Sequence, residues 1–542
     1  GNHKTMNDRS TLKDWLGEVP LAAELWWQLR QPGRPVTSQF TLDRLEQALP
    51  GGVEQVNLMR VSQPQDAVVK HVLIFGTLRW WVEHALLVGL GLAGYGHQVT
   101  LAYLPYALWQ QPINRFDLRR QNAYARHVLR GAEPLVKVVS FLDERLAGKA
   151  ALPEALEQAV KLVSLRDTQY TLQVEQVTTD SDLYRLRLER NLQAARVAYG
   201  WLQRNRPEVV VLPNGTILEF GVLYQVARYL DIPVVTYEFG EQHQRIWLAQ
   251  NAEVMRQQTD ALWQRRKDQP LTETQQQQVR QLFAARQRAS LWENFARRWQ
   301  GTPSEGGERV RQSLGLDERP VVLLATNVIG DSLTLGRQVF SDSMTEWLER
   351  TVQFFAQYPQ AQFVIRIHPG ELVTKGPSVA DVVLRALDIA DASQLPGHII
   401  MIPADGKVNT YDLVEIADLG LVYTTTVGME MAMSGVPVMA VGSTHYRGKG
   451  FTLDPQTWEG YFDLLRQVLA QPAAYRLSRQ QVEDAWHYAY CFFFDYPHPF
   501  PWHVTRTWED VEAWPLRRVL SEEGRQQFAQ TFAYLSGEAV AW

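Results

Sequence analysis

The 542-residue chain is 45% hydrophobic and 21% charged, a size and balance that require more than one hydrophobic core and exclude global disorder. Its formal net charge of -5 gives no broad electrostatic basis for binding nucleic acid, which is not an expected partner. The single cysteine, Cys491, excludes an intrachain disulfide and leaves a cysteine-rich metal site without ligands.

The opening GNHKTMNDRS has no apolar signal-peptide core. The most tempting apolar run, ALLVGLGLAGYG, falls well short of the roughly 20 residues of a spanning helix. The expected location is cytoplasmic, with peripheral attachment at the cytoplasmic membrane face left open. Residues 1–60 read as a helical extension in which Trp15, Trp26 and Trp27 are expected to pack. From HVLIF onward the pattern becomes strand, helix HALLVGLGLA, strand QVTLAYL. Residues 115–190 read as a helical insertion or lid, after which VVVL and VVTY repeat the parallel-strand grammar. Together these give a first Rossmann-like domain over 61–305, its last part charged helices that lead into a flexible GTPSEGGE connection. A second Rossmann-like domain over 306–460 is marked by RPVVLLATN, QFVIRIHPGE, GHIIMIP and LGLVYTTTVGMEMAMSGVPVMAVG. Residues 461–542 alternate aromatic and charged positions as a helical region expected to pack across both domains. The fold class is therefore α/β, with two Rossmann-like domains and additional terminal and inserted helices.

Loops leaving the C-terminal ends of parallel strands are where such folds place ligands. RIHPGE delivers His368 to such a loop, where it can donate to a phosphate oxygen or satisfy a local main-chain group. YTTTVG offers the hydroxyls of Thr424, Thr425 and Thr426 and main-chain amides that can face an anion. Glu430, soon after, can accept two ribose hydroxyls or serve as an ordinary helix-start charge. In GSTHYRGKGF, Arg447 and Lys449 can neutralise phosphate or simply be solvated. In the first half, Asn214 of LPNG can bind a hydroxyl or stabilise its turn, and Glu238 or Glu241 of YEFGEQ can act as general base. His84 is a further catalytic candidate, with packing or capping as its alternative. Asp331 of NVIGDS is another, with turn capping as its alternative. No compact metal motif surrounds Asp331, so neither a metal nor a cofactor is expected beyond the nucleotide-sugar substrate.

Over approximately residues 205–455, LPNG with YEFGEQ and RIHPGE with YTTTVGMEMAMSGVPVMAVG resemble the bacterial capsule and surface-polysaccharide glycosyltransferases of GT-B fold. The resemblance implies a GT-B arrangement of the two domains, with the first on the acceptor side and the second on the nucleotide-sugar side. It makes His368 the phosphate-side histidine, Thr424 to Thr426 the hydroxyl motif that follows it, and Glu430 the ribose acid. TTT departs from the serine-rich form of some relatives and leaves the donor's identity open. The implied reaction is metal-independent transfer of a sugar from a nucleotide-sugar donor to a surface-polysaccharide or lipid-linked glycan, with membrane or polysaccharide-assembly machinery as further partners. The alternatives are a nucleotide-sugar epimerase or hydrolase, or a noncatalytic carbohydrate-assembly protein.

Overall fold

A computed structural model describes residues 2–60, 68–287 and 302–542. The expected domain start at 61 and part of the charged helices before GTPSEGGE lie outside the described residues. Among those described, twelve strands follow in chain order: β1 (His71–Thr77), β2 (Gln98–Leu104), β3 (Val136–Ser140), β4 (Val209–Pro213), β5 (Val234–Glu238), β6 (Arg245–Gln250), β7 (Val321–Ala325), β8 (Gln362–Arg366), β9 (Ile399–Ile402), β10 (Leu419–Val422), β11 (Val438–Ala440) and β12 (His498–Pro499). They build a seven-stranded sheet of order β12-β6-β5-β4-β1-β2-β3 and a five-stranded sheet of order β11-β10-β7-β8-β9. Two compact units result, one of Gly1–Thr168, Thr178–Met255 and His498–Ala541, the other of Gln169–Val177, Arg256–Pro497 and Trp542.

The expected division at 305/306 thus falls at 255/256, and the terminal region 461–542 divides between the units at 497/498. The cause lies in where apolar side chains find partners. The helix Glu273–Gln287 sets Phe283 edge-on against Trp486 and Phe493, each at 5.7 Å, inside the second unit. Phe500 and Trp502 instead meet Phe532 in the first.

In the first unit, β1 to β5 run parallel to one another, and β1 and β4 are apolar along nearly their whole length because helices cover both faces. Residues 115–190, read as a helical insertion, also contain β3, an edge strand whose half-exposed VKVVS carries little of the buried-strand signature. The antiparallel β6 carries the apolar run IWLA, but its burial alternates. The helix Arg79–Gly94 is buried from Trp81 onward. A Cβ at Gly91 would stand 2.7 Å from Phe532, so glycine permits that close approach. Of the three N-terminal tryptophans only Trp27 packs inside; Trp15 is 64% and Trp26 45% exposed. No helix among the described residues is long and apolar enough to cross a membrane.

The second unit is a purely parallel sheet with Trp347, Phe355 and Phe363 at the centre of its core. Phe355 and Phe363 stack at 4.2 Å, and Trp347 donates from Nε1 to the Tyr461 hydroxyl at 3.0 Å. Replacing Trp347 by alanine should cost about 3–5 kcal/mol through the lost contacts and the cavity left behind. Urea unfolding of the full chain, read by circular dichroism, should show a lowered midpoint for the transition that carries the second unit.

Candidate functional site

Two polar residues directly after β7 organise the C-terminal edge of the second sheet. The Thr326 hydroxyl accepts from the His368 main-chain N–H at 3.1 Å, and the neighbouring Asn327 Oδ1 accepts from the Thr424 N–H at 3.2 Å. Since β7 lies between β8 and β10, this pair ties the HPGE loop on one side to the TTT loop on the other. The two loops leave strands two steps apart, about 10 Å. His368 is exposed, and its Nδ1 accepts from the Gly370 N–H at 2.8 Å. A neutral imidazole so held carries its proton on Nε2, where it is a donor. Pro369 and Gly370 open the short 3-10 turn Pro369–Val373 that His368 caps.

The three threonines divide by role. Thr424 is 6% exposed and spends its hydroxyl on the Leu333 carbonyl at 2.8 Å, so the expectation of a ligand-binding Thr424 is corrected to a structural one. Thr425 and Thr426 are half-buried, and the Thr425 carbonyl accepts from the Tyr446 hydroxyl at 2.5 Å. Arg366, at the end of β8, is buried and donates to the carbonyls of Pro403 at 2.7 Å and Gly406 at 3.3 Å. Burial lowers its pKa, and its Nε is buried without a hydrogen-bond partner. Its charge is held against the segment that follows β9.

Other assignments are corrected by what the side chains touch. Glu430 is 3% exposed, and its Oε1 accepts from Arg286, whose Nε donates to Tyr411 at 3.0 Å. Burial raises the Glu430 pKa despite the Arg286 charge; the carboxylate is part of a buried ion pair and does not face a ribose. Arg447 donates to the carbonyls of Ala440 at 2.9 Å and Pro455 at 2.5 Å, and Lys449 pairs with Asp260, so both cations hold their own loop. Asp331 accepts from the Leu333 N–H at 3.2 Å and its carbonyl accepts from the Thr334 hydroxyl at 2.7 Å, the geometry of a turn cap.

In the first unit, Glu238 ends β5 and is half-buried. Its Oε2 accepts from Asn214 Nδ2 at 3.1 Å and its Oε1 from the Phe239 N–H at 3.2 Å. Burial raises its pKa, with the Asn214 and Phe239 hydrogen bonds opposing, which is the direction that makes a carboxylate a better base. Asn214 takes the turn-stabilising role: Oδ1 accepts from the Thr216 and Ile217 N–H groups, while Nδ2 donates to Glu238. The turn is conformationally demanding, with φ of 60° at Asn214, 86° at Gly215 and 57° at Leu218. It is anchored below by Asp167, whose Oδ1 accepts from the Leu218 N–H at 2.5 Å and whose Oδ2 accepts from Arg187 and Asn191. Glu241 is half-buried in the connection from β5 to β6.

His84 is corrected from catalytic candidate to core residue. It is 0% exposed, its Nε2 lies 2.9 Å from the Trp502 carbonyl, and its ring sits among Trp81, Tyr237, Phe239 and Phe500.

Thr326, Arg286, Tyr411, Asp167 and Arg187 were not singled out from sequence. Thr326 carried one usable signal, a hydroxyl residue directly after the apolar run VVLLA. The others lie on helices and find their partners far away in sequence, Arg187 at Asp167 and Glu219, Arg286 at Tyr411 and Glu430. Among the described residues no group of three or more His, Cys, Asp and Glu is arranged to hold a metal ion.

No protein-family model matches the chain, and no curated protein matches it. Several solved structures are similar. A KpsC beta Kdo 2,4 transferase of Thermosulfurimonas dismutans is 16% identical, with 58% of this chain and 87% of that one covered at a TM-score of 0.33. A UDP-GlcNAc 2-epimerase of Neisseria meningitidis bound to UDP-GlcNAc is 12% identical, covering 78% and 100% at 0.25. A glycotransferase of kitacinnamycin is 13% identical, covering 79% and 96% at 0.22. The fold class stands on the two parallel sheets themselves.

The buried histidine gives a pH prediction. Burial pulls the His84 pKa down from 6.5 to about 4, so the folded protein excludes a proton that the unfolded chain takes up. Stability is complete above the unfolded value and falls as pH drops toward 4, by on the order of 3 kcal/mol for this ring. His84→Gln should flatten the dependence of the urea midpoint on pH across that window.

Proposed function

We propose that the chain is a metal-independent glycosyltransferase that moves a sugar from a nucleotide-sugar donor to a surface-polysaccharide or lipid-linked glycan acceptor. The observation that carries this reading is the meeting of the His368 loop and the Thr425 to Thr426 loop on the Thr326–Asn327 pair. An Nε2–H donor, two threonine hydroxyls and the charge of buried Arg366 suit the phosphate groups of a nucleotide. They would also stabilise the negative charge that develops on the leaving phosphate as the glycosidic bond breaks. The phosphate-binding residues of this reading belong to the second unit and Glu238 to the first, and each is testable by itself.

Glu238 is the base in this reading. Its carboxylate takes the proton of the acceptor hydroxyl as that oxygen attacks the anomeric carbon, and Asn214 fixes its orientation. Because its pKa is raised, the acid limb of the rate profile should lie above the ordinary glutamate range. Glu241 is the second candidate on the same loop. Peripheral attachment to the cytoplasmic membrane face, where lipid-linked acceptors and polysaccharide-assembly machinery would be met, belongs to the same reading.

Two variants separate the halves. Glu238→Gln should lower kcat by about 10²–10⁴ with donor affinity retained. His368→Ala should weaken nucleotide binding by about tenfold or more, the worth of one charge-assisted hydrogen bond. Mass-resolved screening of nucleotide sugars with and without glycan acceptors checks both. Sugar rearrangement or nucleotide release without any acceptor would instead indicate an epimerase or hydrolase.

A further inference from the structure

The first unit contains a cavity of about 1520 Å³ at the C-terminal ends of β2 and β3. Its walls are the helix Arg115–Leu129, the helix Asp182–Asn205 and the turn between the helices Asn2–Glu18 and Ala22–Arg30. Strand pairing sets it on the same sheet edge as Glu238. Tyr103 is opposite Ser140, Leu104 opposite Thr77, Ile74 opposite Val211, and Pro213 opposite Tyr237. Four strand steps separate β3 from β5, a distance of about 19 Å.

Charge distinguishes this cavity. Three of its guanidiniums are already matched: Arg119 forms a fork with Glu24, Arg145 a fork with Asp143, and Arg115 lies 3.4 Å from Glu144. Arg126 and Arg130 stand one helical turn apart, exposed, and neither enters an ion pair among the described residues. Arg190 faces the cavity from the second helix, where its guanidinium stacks 4.2 Å from the Tyr106 ring and is held by the Leu108 and Gln111 carbonyls. Held by a ring and two carbonyls, it needs little reordering to meet a ligand. Five carboxylates, Glu18, Glu24, Asp143, Glu144 and Glu189, line the cavity against six arginines, which leaves an excess of one positive charge with Arg126 and Arg130 outside any ion pair among the described residues, beside the amides of Asn122 and Gln193. Guanidinium forks suit carboxylates and amides suit hydroxyls.

We propose that this cavity binds a carboxylate-bearing glycan, as the distal part of the acceptor whose reacting hydroxyl lies at Glu238. The binding does not depend on turnover; only its place on the acceptor rests on the glycosyltransferase reading. An extended oligosaccharide running along the sheet edge would connect the two positions, so the cavity would select acidic acceptors some sugars away from the bond being made.

The test is calorimetric titration of the full chain with a short oligogalacturonate, a malto-oligosaccharide of equal length, and inorganic phosphate. Oligogalacturonate should bind, more weakly as salt rises, and the neutral sugar should bind about tenfold or more weaker. The double variant Arg126→Ala with Arg130→Ala should lose about tenfold or more of the oligogalacturonate affinity, and the double lysine variant should keep most of it. Both positions are exposed, and an unchanged circular dichroism spectrum and urea midpoint would verify that the variant is folded. Equal affinity for neutral and acidic sugars, undiminished affinity in the double-alanine variant, or displacement of the oligosaccharide by phosphate at equal concentration would overturn the proposal. Loss of nucleotide binding to the unaltered chain would count against the donor site and leave the cavity proposal intact.

Discussion

Parallel strands end in loops whose main-chain groups have no neighbour to continue the ladder, and those groups need partners. In the second unit Thr326 and Asn327 supply them, one to each side. Removing either oxygen would leave a main-chain N–H without its partner and free one loop to move relative to the other, at a cost of about 1–3 kcal/mol. The placement of His368 relative to Thr425 and Thr426 depends on this pair, as does any ligand that spans them.

Around these loops, each unit commits charges to its own architecture. Arg286 with Glu430 and Tyr411, and Arg187 with Asp167 and Glu219, are fully or nearly buried. Such pairs contribute little net stability over apolar packing, yet breaking one by removing a single partner costs about 3–5 kcal/mol. Their value is positional. Asp167 fixes the Leu218 main chain, so the left-handed turn at Asn214 and Gly215 keeps its shape, and Asn214 in turn aims Glu238. A chain of contacts from a buried arginine to a half-buried carboxylate preorganises the proposed base without any of the intermediate residues touching substrate.

The strands that the sequence makes legible are those buried on both faces. VLIF, VVVL, VVLLA and QFVIR are continuous apolar runs, and each is a strand. β3 and β12 escape because one is a half-exposed edge strand and the other too short to carry a run, and β6 escapes although IWLA is apolar, because it is antiparallel and its burial alternates. Site residues divide on the same principle. His368 and Glu238 are recognisable because they directly follow buried strands and remain at the edge. Glu430, Arg447 and Lys449 also look like ligand groups in one dimension, but partners distant in sequence, Arg286 at 144 positions and Asp260 at 189, take up Glu430 and Lys449. His84 reads as a helix-start histidine, yet that helix is buried all round, and an apolar environment decides its protonation before any chemistry can.

The claim at the centre is that the histidine loop and the threonine loop serve one phosphate-bearing ligand. Histidine-selective ¹⁵N NMR of the full chain during titration with a nucleoside diphosphate tests it directly. The ring nitrogens of His368 should shift and saturate with the nucleotide, while those of the buried His84 stay in place. A saturated nucleotide that leaves the His368 nitrogens unmoved would contradict it.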